Sequence, residues 1–462
     1  MKLTRRQVLA GAAAGALGAT GAYELVDKLV GSGPDRAAAG PLPPEQHVLD
    51  DVRTVTDNGV DVLVPPLHHE VVTARVKVDA ADLADAQRAL EQALAKLDDE
   101  YAPTPAGLGV TVAWGLPYFE RVVPEQWRVH SPFDRRAAKP ALLPPRRFPS
   151  DPDSTVLEEN DVAFLIRSDR LDHVAAGAQA IDALDVFEVT SIRKGFAGGG
   201  FDGGKSLPKR LALAAGIPGA DLIPDTAELF LGFTSTQAHG LGPRRIVNFE
   251  MLGYVDVRDG YFREGTHMHL SHIAEQLDTW YQLFDFRQRV DTVFRPGLDV
   301  KKGTQTVRQS PQDVATVGQV ARDYRRGEVI GHSAAIQTAS RLQADHVASD
   351  GTVYRKGTAV PQRADFNTLD NPFFWSADRA RDKMSDQPAA GVHFVVFNPS
   401  SDDFERMRLA MDGVLPDGTK LEFRPRDRGQ GFNSVLLTTH RQNFLVPPRR
   451  HRSFPLAELR LA

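Results

Sequence analysis

Hydrophobic and polar positions in the first half of the chain follow two periods. Residues 72–78 carry an apolar side chain at every second position, which predicts a strand with one buried face. Further along, Leu83, Leu90 and Leu97 lie on one stripe at helical spacing. We therefore predict an amphipathic helix after this strand, capped by Asp79.

The following segments continue the alternation of strands and helices. Apolar side chains recur at every second position of 108–114, and 162–166 and 186–192 are short and strongly apolar, so each predicts a strand. Between the last two, Val174 and Ile181 mark the apolar face of a second helix. The order strand, helix, strand, strand, helix, strand is that of a ferredoxin-like domain.

The second half of the chain repeats this order with a long interruption. Strands are predicted at 246–257, 261–270, 392–397 and 434–439, and helices at 273–284 and after a cap at Ser401. Residues 285–390 form a long excursion, and the Pro-rich, charged stretch 131–160 forms a shorter one. Because long irregular insertions are usually functional, we expect the longer excursion to build a site.

The N-terminus carries a pair of arginines, Arg5 and Arg6, before a run of apolar and small residues at 8–23. This combination is typical of the twin-arginine signal that exports folded proteins, and an ordinary secretory signal is the alternative. The run is too short to predict a membrane span. We predict a signal at 1–32 and export by the twin-arginine machinery to the periplasm or the extracellular space. An uncleaved signal would tether the protein to the membrane.

Composition limits the class of the exported protein. The 462 residues include 42% hydrophobic side chains, and the formal net charge is −5. After a linker at 33–58 the length suits two domains, which we place at 59–240 and 241–462. The acidic balance argues against a nucleic-acid-binding protein. Since the chain has no Cys, disulfides, thiolate nucleophiles and iron–sulfur clusters are excluded. The sequence leaves open whether the protein forms a homo-oligomer.

Several segments in shared order carry a resemblance to a known family. They are Leu108–Phe119 with its Gly-x-x-x-Phe turn, Phe249–Asp256, Gly265–Trp280, Val392–Asp412 and Phe444–Pro448. Together they resemble the dye-decolorizing peroxidase family, haem enzymes with two ferredoxin-like domains. The resemblance implies an α+β fold whose antiparallel sheets carry flanking helices, as in dimeric α+β barrels. It also implies haem b as cofactor, and hydrogen peroxide with an unknown reductant as substrates.

The resemblance implies roles for two residues of the long excursion. His332, in Gly331-His332-Ser333, stands where the family has the iron-ligating His, and an ordinary structural His is the alternative. Arg355, in a segment that ends Arg-Lys-Gly, stands where the family has an Arg above the iron, and a solvent-facing Arg in a turn is the alternative. A fixed guanidinium there would hold peroxide and stabilise charge as the O–O bond breaks.

The family's distal Asp, in a Gly-x-x-Asp-Gly motif, has two placements in this chain. Ser235 occupies the position after the apolar lead-in 230–231, and Asp202 fits the motif in the glycine-rich stretch 199–203. We favour Ser235, although a Ser cannot shuttle a proton as a carboxylate does. This departure leaves open a descendant of the fold that binds haem or another ligand without peroxidase activity.

A cluster of histidines supports a third hypothesis. His267 and His269 share one face of a predicted strand, and His272 is predicted to begin the next helix. Imidazoles at this spacing are suitable ligands for copper or zinc, so a metal protein without haem is an alternative. The strand prediction instead expects these side chains to be exposed or hydrogen bonded.

Overall fold

The structure is a computed structural model. It describes residues 25–27, 29, 42–57, 60–199, 206–233, 245–256, 260–298, 314–371, 388–422, 424–425, 427 and 430–460. The arginine pair of the predicted signal, Asp202 and Ser235 lie outside these ranges. Within them, no helix has the length and apolar character needed to cross a membrane.

The strands of the described ranges are numbered in chain order. They are β1 (Thr54–Asp57), β2 (Val60–Leu63), β3 (His68–Val76), β4 (Gly109–Gly115), β5 (Phe133–Asp134), β6 (Lys139–Pro140), β7 (Val156–Leu157), β8 (Val162–Ser168), β9 (Phe187–Phe196), β10 (Val255–Asp256), β11 (Thr266–Glu275), β12 (His346–Val347), β13 (Val353–Tyr354), β14 (Gln362–Arg363), β15 (Phe366–Thr368), β16 (Gly391–Asn398) and β17 (Leu436–Val446).

The α-helices are numbered in the same way. They are α1 (Leu83–Glu100), α2 (Leu116–Arg121), α3 (Pro124–His130), α4 (Leu171–Asp182), α5 (Pro208–Ala214), α6 (Leu277–Leu283), α7 (Phe286–Val293), α8 (Val317–Gly327), α9 (His332–Ser340) and α10 (Ser401–Met411). Helices α7, α8 and α9 and strands β12 to β15 all lie in the predicted excursion 285–390.

The first half has the predicted ferredoxin-like order β3-α1-β4-β8-α4-β9, and its strands lie side by side as β9-β3-β8-β4. The stripe of α1 is buried as predicted, because Leu83, Leu90 and Leu94 pack against the sheet with at most 1% of their surface exposed. Burial of one such side chain contributes about 2 kcal/mol. The helix begins at Leu83 after Asp82, three residues later than the predicted cap at Asp79.

The second half repeats the topology, since its strands lie in the order β17-β11-β16-β15. Helix α10 begins after Ser400, which forms a capping box with Asp403. The predicted strand at 246–257 is wrong, because this segment is a series of turns with only the short β10 at its end. Its apolar residues are buried in the core, and Phe249 bonds the carbonyl of Gly265 through its backbone N–H.

The two sheets join edge to edge and close an eight-stranded barrel. One seam is the pairing of β15 with β9, and the other is the pairing of β17 with β4. Apolar side chains such as Val71, Leu270 and Phe444 fill the inner face. The α+β fold with two ferredoxin-like domains is confirmed, and its outer faces carry the helices.

The shorter excursion crosses from the first sheet to the second. Its strand β7 runs parallel to β17, and Leu143 and Ser401 are joined by a hydrogen bond of 3.0 Å from backbone N to Oγ. Phe148 packs edge-on against Phe404, with ring centroids 6.0 Å apart. The predicted loop at 131–160 therefore holds α10 against the outer face of the second sheet.

Candidate functional site

His332 begins helix α9, and the backbone before it fixes its position. Gly331 is the N-cap residue, and a Cβ at this position would lie 2.3 Å from the carbonyl oxygen of Phe294. The same oxygen accepts a hydrogen bond of 3.1 Å from the backbone N–H of Ala334. Only glycine allows this approach, so the Gly-His pair anchors the first turn of α9 to the end of α7.

The imidazole of His332 lies in a desolvated, electropositive environment. Its Nδ1 is buried and has no hydrogen-bond partner among the described residues. Its ring lies 5.0 Å from the ring of Phe432, centroid to centroid. Burial, followed by the charges of Arg363 and Arg408, lowers the pKa of His332 to about 3. The side chain is therefore neutral, which is the form that binds a metal ion.

The two arginines near His332 come from different elements. Arg363 lies on β14, directly opposite Val396 of β16, and so on the outer face of the second sheet. Arg408 lies on α10, where Nη1 is 2.8 Å from Oδ2 of Asp412. Neither arginine is predicted from the sequence. Pro361 directly before β14 argues against a strand there, so its pattern does not predict one. Arg408 is one of several charged residues in a predicted helix, and nothing in the sequence distinguishes it from the others.

The structure does not bring Arg355 to His332. The Arg355 side chain is 77% exposed, and its Nη1 lies 2.6 Å from Oδ2 of Asp345 in a surface turn. Among the described residues, Arg355 is not one of the cations that shift the pKa of His332. The surface position gives no support to the distal role that the resemblance implied. Arg363, on β14 of the second sheet, is instead one of the two cations whose charge lowers the pKa of His332.

The two placements of the distal Asp, Ser235 and Asp202, lie outside the described residues, but the segment before Ser235 is well defined. Trp280 donates a hydrogen bond of 2.9 Å to the carbonyl of Leu231, and Tyr281 donates one of 2.7 Å to that of Phe230. Both bonds come from α6. They fix the lead-in segment in the same apolar cluster that holds the ring of Phe432.

The predicted histidine cluster does not converge. The prediction that His272 begins a helix is wrong, because β11 continues to Glu275 while it pairs with β16 and β17. Side chains alternate along a strand, so His267 and His269 face outward and His272 faces into the barrel. In the ranges that the structure describes, no group of three or more His, Asp or Glu side chains is arranged to hold a metal ion. The copper or zinc hypothesis gains no support.

His269 is instead fully engaged in hydrogen bonds. Its Nδ1 lies 2.7 Å from Oδ1 of Asn443, and its Nε2 lies 2.6 Å from Oγ of Ser271. The ring stacks on Phe404 of α10 at a centroid distance of 3.4 Å. Burial lowers the pKa of His269 well below its ordinary value, and Arg441 lowers it further.

The residues around His332 fit a haem group in their chemistry. A neutral imidazole with a buried, unpartnered nitrogen is suited to ligate iron, and guanidinium groups pair well with propionate carboxylates. One feature departs from the usual arrangement. Ligating histidines generally donate their second nitrogen to a carboxylate or carbonyl, and no described residue accepts a hydrogen bond from the imidazole of His332.

Solved structures with the same fold are dye-decolorizing-type peroxidases. The chain is 18% identical to the DyP-type peroxidase from Cellulomonas bogoriensis, with a TM-score of 0.51, and the match covers 88% of this chain and 96% of that one. DyPB from Rhodococcus jostii RHA1 is 14% identical, with a TM-score of 0.49 and coverage of 90% and 98%. At these identities the likeness shows the fold alone.

Comparisons of sequence give a family without an assigned activity. No curated protein matches the chain. One family model matches residues 66–448, which include both ferredoxin-like halves and His332. The chain therefore belongs to the family of unknown function DUF7405.

Proposed function

We propose that the protein is an exported haem protein that binds haem b through His332 and reacts with hydrogen peroxide. The fold that it shares with DyP-type peroxidases supports this proposal. The single observation that carries it is the environment of His332. A neutral, desolvated imidazole with an unpartnered Nδ1 lies at a glycine-anchored helix start, near two guanidinium groups.

Each residue has a stated part in this proposal. His332 would hold the iron, and Arg408 and Arg363 would supply positive charge for the propionates and for peroxide. When bound, haem supplies an iron centre that exchanges electrons with peroxide. Phe432 packs beside the imidazole, and burial keeps the pKa of His332 at about 3, so the side chain is neutral at pH 7.

A haem- or ligand-binding protein without peroxidase activity is the second candidate. Two observations favour it: Ser235 stands where the family has its acid–base carboxylate, and Arg355 lies on the surface. Without a carboxylate, peroxide would have to lose its proton to another group. Binding and turnover must therefore be measured separately.

Haem binding is tested by titrating the purified protein with haemin and recording the Soret band. We expect a band at one haem per chain, which the His332→Ala variant loses. His346→Ala is the matched control, because this half-exposed His lies on the hairpin β12–β13 and should leave the band unchanged. A band that persists in His332→Ala refutes the ligand assignment.

Peroxidase activity is tested by oxidation of a dye with hydrogen peroxide. We expect turnover by the haem-loaded protein, a large loss in Arg363→Leu, and little change in Arg355→Ala, whose guanidinium bonds Asp345 at the surface. A Soret band without turnover would favour the second candidate. If Arg355→Ala loses turnover and Arg363→Leu does not, the role that the resemblance gave to Arg355 would be supported instead.

Export is tested separately from chemistry. We propose that residues 1–32 direct the folded chain through the twin-arginine route. Replacement of Arg5 and Arg6 by Lys should leave the protein in the cytoplasm. The control Lys2→Arg, outside the arginine pair, should not affect export. Export that is unaffected by the paired substitution would indicate the ordinary secretory route.

A further inference from the structure

A directed chain of hydrogen bonds ends at Ser271 on the outer face of β11. Asn443 donates Nδ2–H to the carbonyl of Leu143 at 3.0 Å, so its Oδ1 is the atom that faces His269. That oxygen only accepts, and the imidazole therefore carries its proton on Nδ1. In the neutral ring Nε2 is then an acceptor, and the Ser271 hydroxyl donates to it at 2.6 Å.

This chain lies on the same sheet face as the cation that acts on His332. Arg363 is opposite Val396, Val396 is opposite His269, and His269 is opposite Asn443. Directly opposed residues share a face, and two strand spacings place the Arg363 and His269 backbones about 10 Å apart. After burial, the charge of Arg408 on α10 also lowers the pKa of both His332 and His269. Helix α10 packs against α9, which carries His332, and its Phe404 stacks on His269.

We propose that Ser271 and His269 form the proton-accepting pair for hydrogen peroxide at this site, with Asn443 as the positioning residue. The inference rests on the proposed function and names the group that takes the place of the distal carboxylate. It also accounts for a buried polar trio whose imidazole stacks on Phe404, with 1% of Ser271, 1% of His269 and 4% of Asn443 exposed.

The proton transfer balances without a further reactant. Peroxide passes one proton to Oγ of Ser271 while the hydroxyl proton of Ser271 passes to Nε2 of His269. The products are the hydroperoxide anion and an imidazolium whose Nδ1–H still bonds Asn443. The O–H bonds of peroxide and of Ser271 break, a new O–H bond forms on Ser271 and an N–H bond forms on His269, and no electron is exchanged in this step.

Burial, followed by the charges around His269, keeps its imidazole in the accepting form. Arg441 from β17, Arg408 from α10 and His267 on the same strand all disfavour protonation, and Asn443 alone favours it through its hydrogen bond. The same guanidinium charges stabilise the anion that remains when peroxide loses its proton. Asp151, which bonds both arginines, limits the field that they exert.

The first test needs no haem. Nitrogen-15 NMR of histidine-labelled protein should show, among the rings with a proton on Nδ1, one that stays neutral at pH 6 and whose signal is absent from His269→Gln. Ser271→Ala should shift the Nε2 resonance of that ring, because the hydroxyl that it accepts from is gone. A His269 ring protonated on Nε2 would overturn the proposed direction of the chain.

The second test measures the bimolecular rate of the haem-loaded protein with hydrogen peroxide against pH. We expect His269→Gln to keep the Soret band and to lose 100-fold or more in rate, since general base catalysis contributes 10²–10⁴-fold. Asn443→Asp should raise the pKa of the imidazole and move the acid limb of the pH profile upward. His173→Gln, a buried His of α4 in the first domain, is the matched control.

The outcomes separate this inference from the proposed function. A normal Soret band with an unchanged rate and pH profile in His269→Gln overturns the proton-accepting pair and leaves haem binding intact. No Soret band in the wild type overturns both. The Ser-His-Asn order also matches an activated nucleophile. Labelling of Ser271 by a fluorophosphonate would overturn the inference in favour of acyl transfer.

Discussion

Asp151 and Arg441 form a bidentate ion pair in which both side chains are 1% exposed, with Nη1–Oδ2 at 2.7 Å and Nη2–Oδ1 at 3.0 Å. The carboxylate belongs to the shorter excursion of the first half, and the guanidinium belongs to β17 of the second. Arg408 adds a third member, since its Nη2 lies 3.2 Å from Oδ1 of Asp151. One carboxylate therefore joins the excursion, α10 and the closing strand.

Replacing Asp151 by Asn should destabilise the protein strongly. The variant keeps the shape of the side chain but leaves Arg441 and Arg408 with a single partner charge, Asp412, in a buried setting. Loss of one partner in such a pair costs about 3–5 kcal/mol. Urea unfolding at pH 7 measures the change, and Asp153→Asn, two residues away and exposed, is the control. A loss below 1 kcal/mol would mean that water reaches the network.

The excursion shows what hydrophobic periodicity can and cannot predict. The strand and helix order of the first half follows from alternation and from the stripe of α1, and the structure confirms it. The path of residues 131–160 across α10 does not follow, because it depends on pairs such as Asp151–Arg441, which are 290 residues apart in sequence. The strand predicted at 246–257 is wrong for a related reason, because the apolar residues of this segment are buried in turns.

The candidate site was predicted only in part for a similar reason. The resemblance assigns His332 within the longer excursion, whereas its neutral, desolvated state depends on burial and on Arg363 and Arg408, which only the fold brings near. The sequence context favours Arg355, whereas Arg363 acts on His332 because β14 pairs with β16. The Ser271–His269–Asn443 chain joins β11 to β17, and no local pattern shows which register brings them together.

A row of histidines inside the barrel predicts how stability depends on pH. His272 pairs with His393 on one side and with His440 on the other, and Arg193 adds a fixed charge nearby. Burial lowers the pKa of His272 and His393 well below 6.5. The unfolded chain therefore binds more protons below pH 6.5, so that the free energy of unfolding falls as the pH falls.

The size of this effect is testable with one substitution. His393→Gln removes one imidazole that faces His272, Arg193 and Asp370. Below pH 6.5 it should reduce the slope of unfolding free energy against pH by about 1.4 kcal/mol per unit. Denaturant unfolding between pH 5 and 7.5 measures the slope, with half-exposed His346→Gln as control. An unchanged slope would show that His393 is protonated in the fold.

The seam between β4 and β17 depends on one side chain from the N-terminal segment. Gln46 accepts a hydrogen bond of 2.9 Å from the Val112 N–H and donates to the carbonyls of Val112 and Pro447 at 3.3 and 2.6 Å. These hydrogen bonds of Gln46 take the place of backbone pairing where β4 and β17 separate. Gln46→Ala should cost about 2–4 kcal/mol, because buried backbone groups lose their partners.

Urea unfolding checks this prediction, with the exposed Gln179→Ala on α4 as the control for loss of an amide side chain. Hydrogen exchange adds a local measurement, since the Val112 amide should exchange faster in Gln46→Ala. If neither stability nor exchange at Val112 changes, the β4–β17 pairs at Trp114 and Gly115 are sufficient to close the barrel.

Glu275, the last residue of β11, should have the opposite effect on stability from the histidines. Its Oε2 is buried without a hydrogen-bond partner among the described residues, and burial raises the pKa of the carboxyl to about 8. Between pH 4.5 and 8 the folded state keeps a proton that the unfolded state loses, so stability falls as the pH rises.

Glu275→Gln removes this pH dependence because the amide stays neutral. We expect it to match the wild type at pH 4 and to be more stable by about 1–3 kcal/mol at pH 8. Thermal unfolding across this range measures the difference, and exposed Glu188→Gln should show none. A constant difference at all pH values would place the carboxylate in contact with water or with a cation.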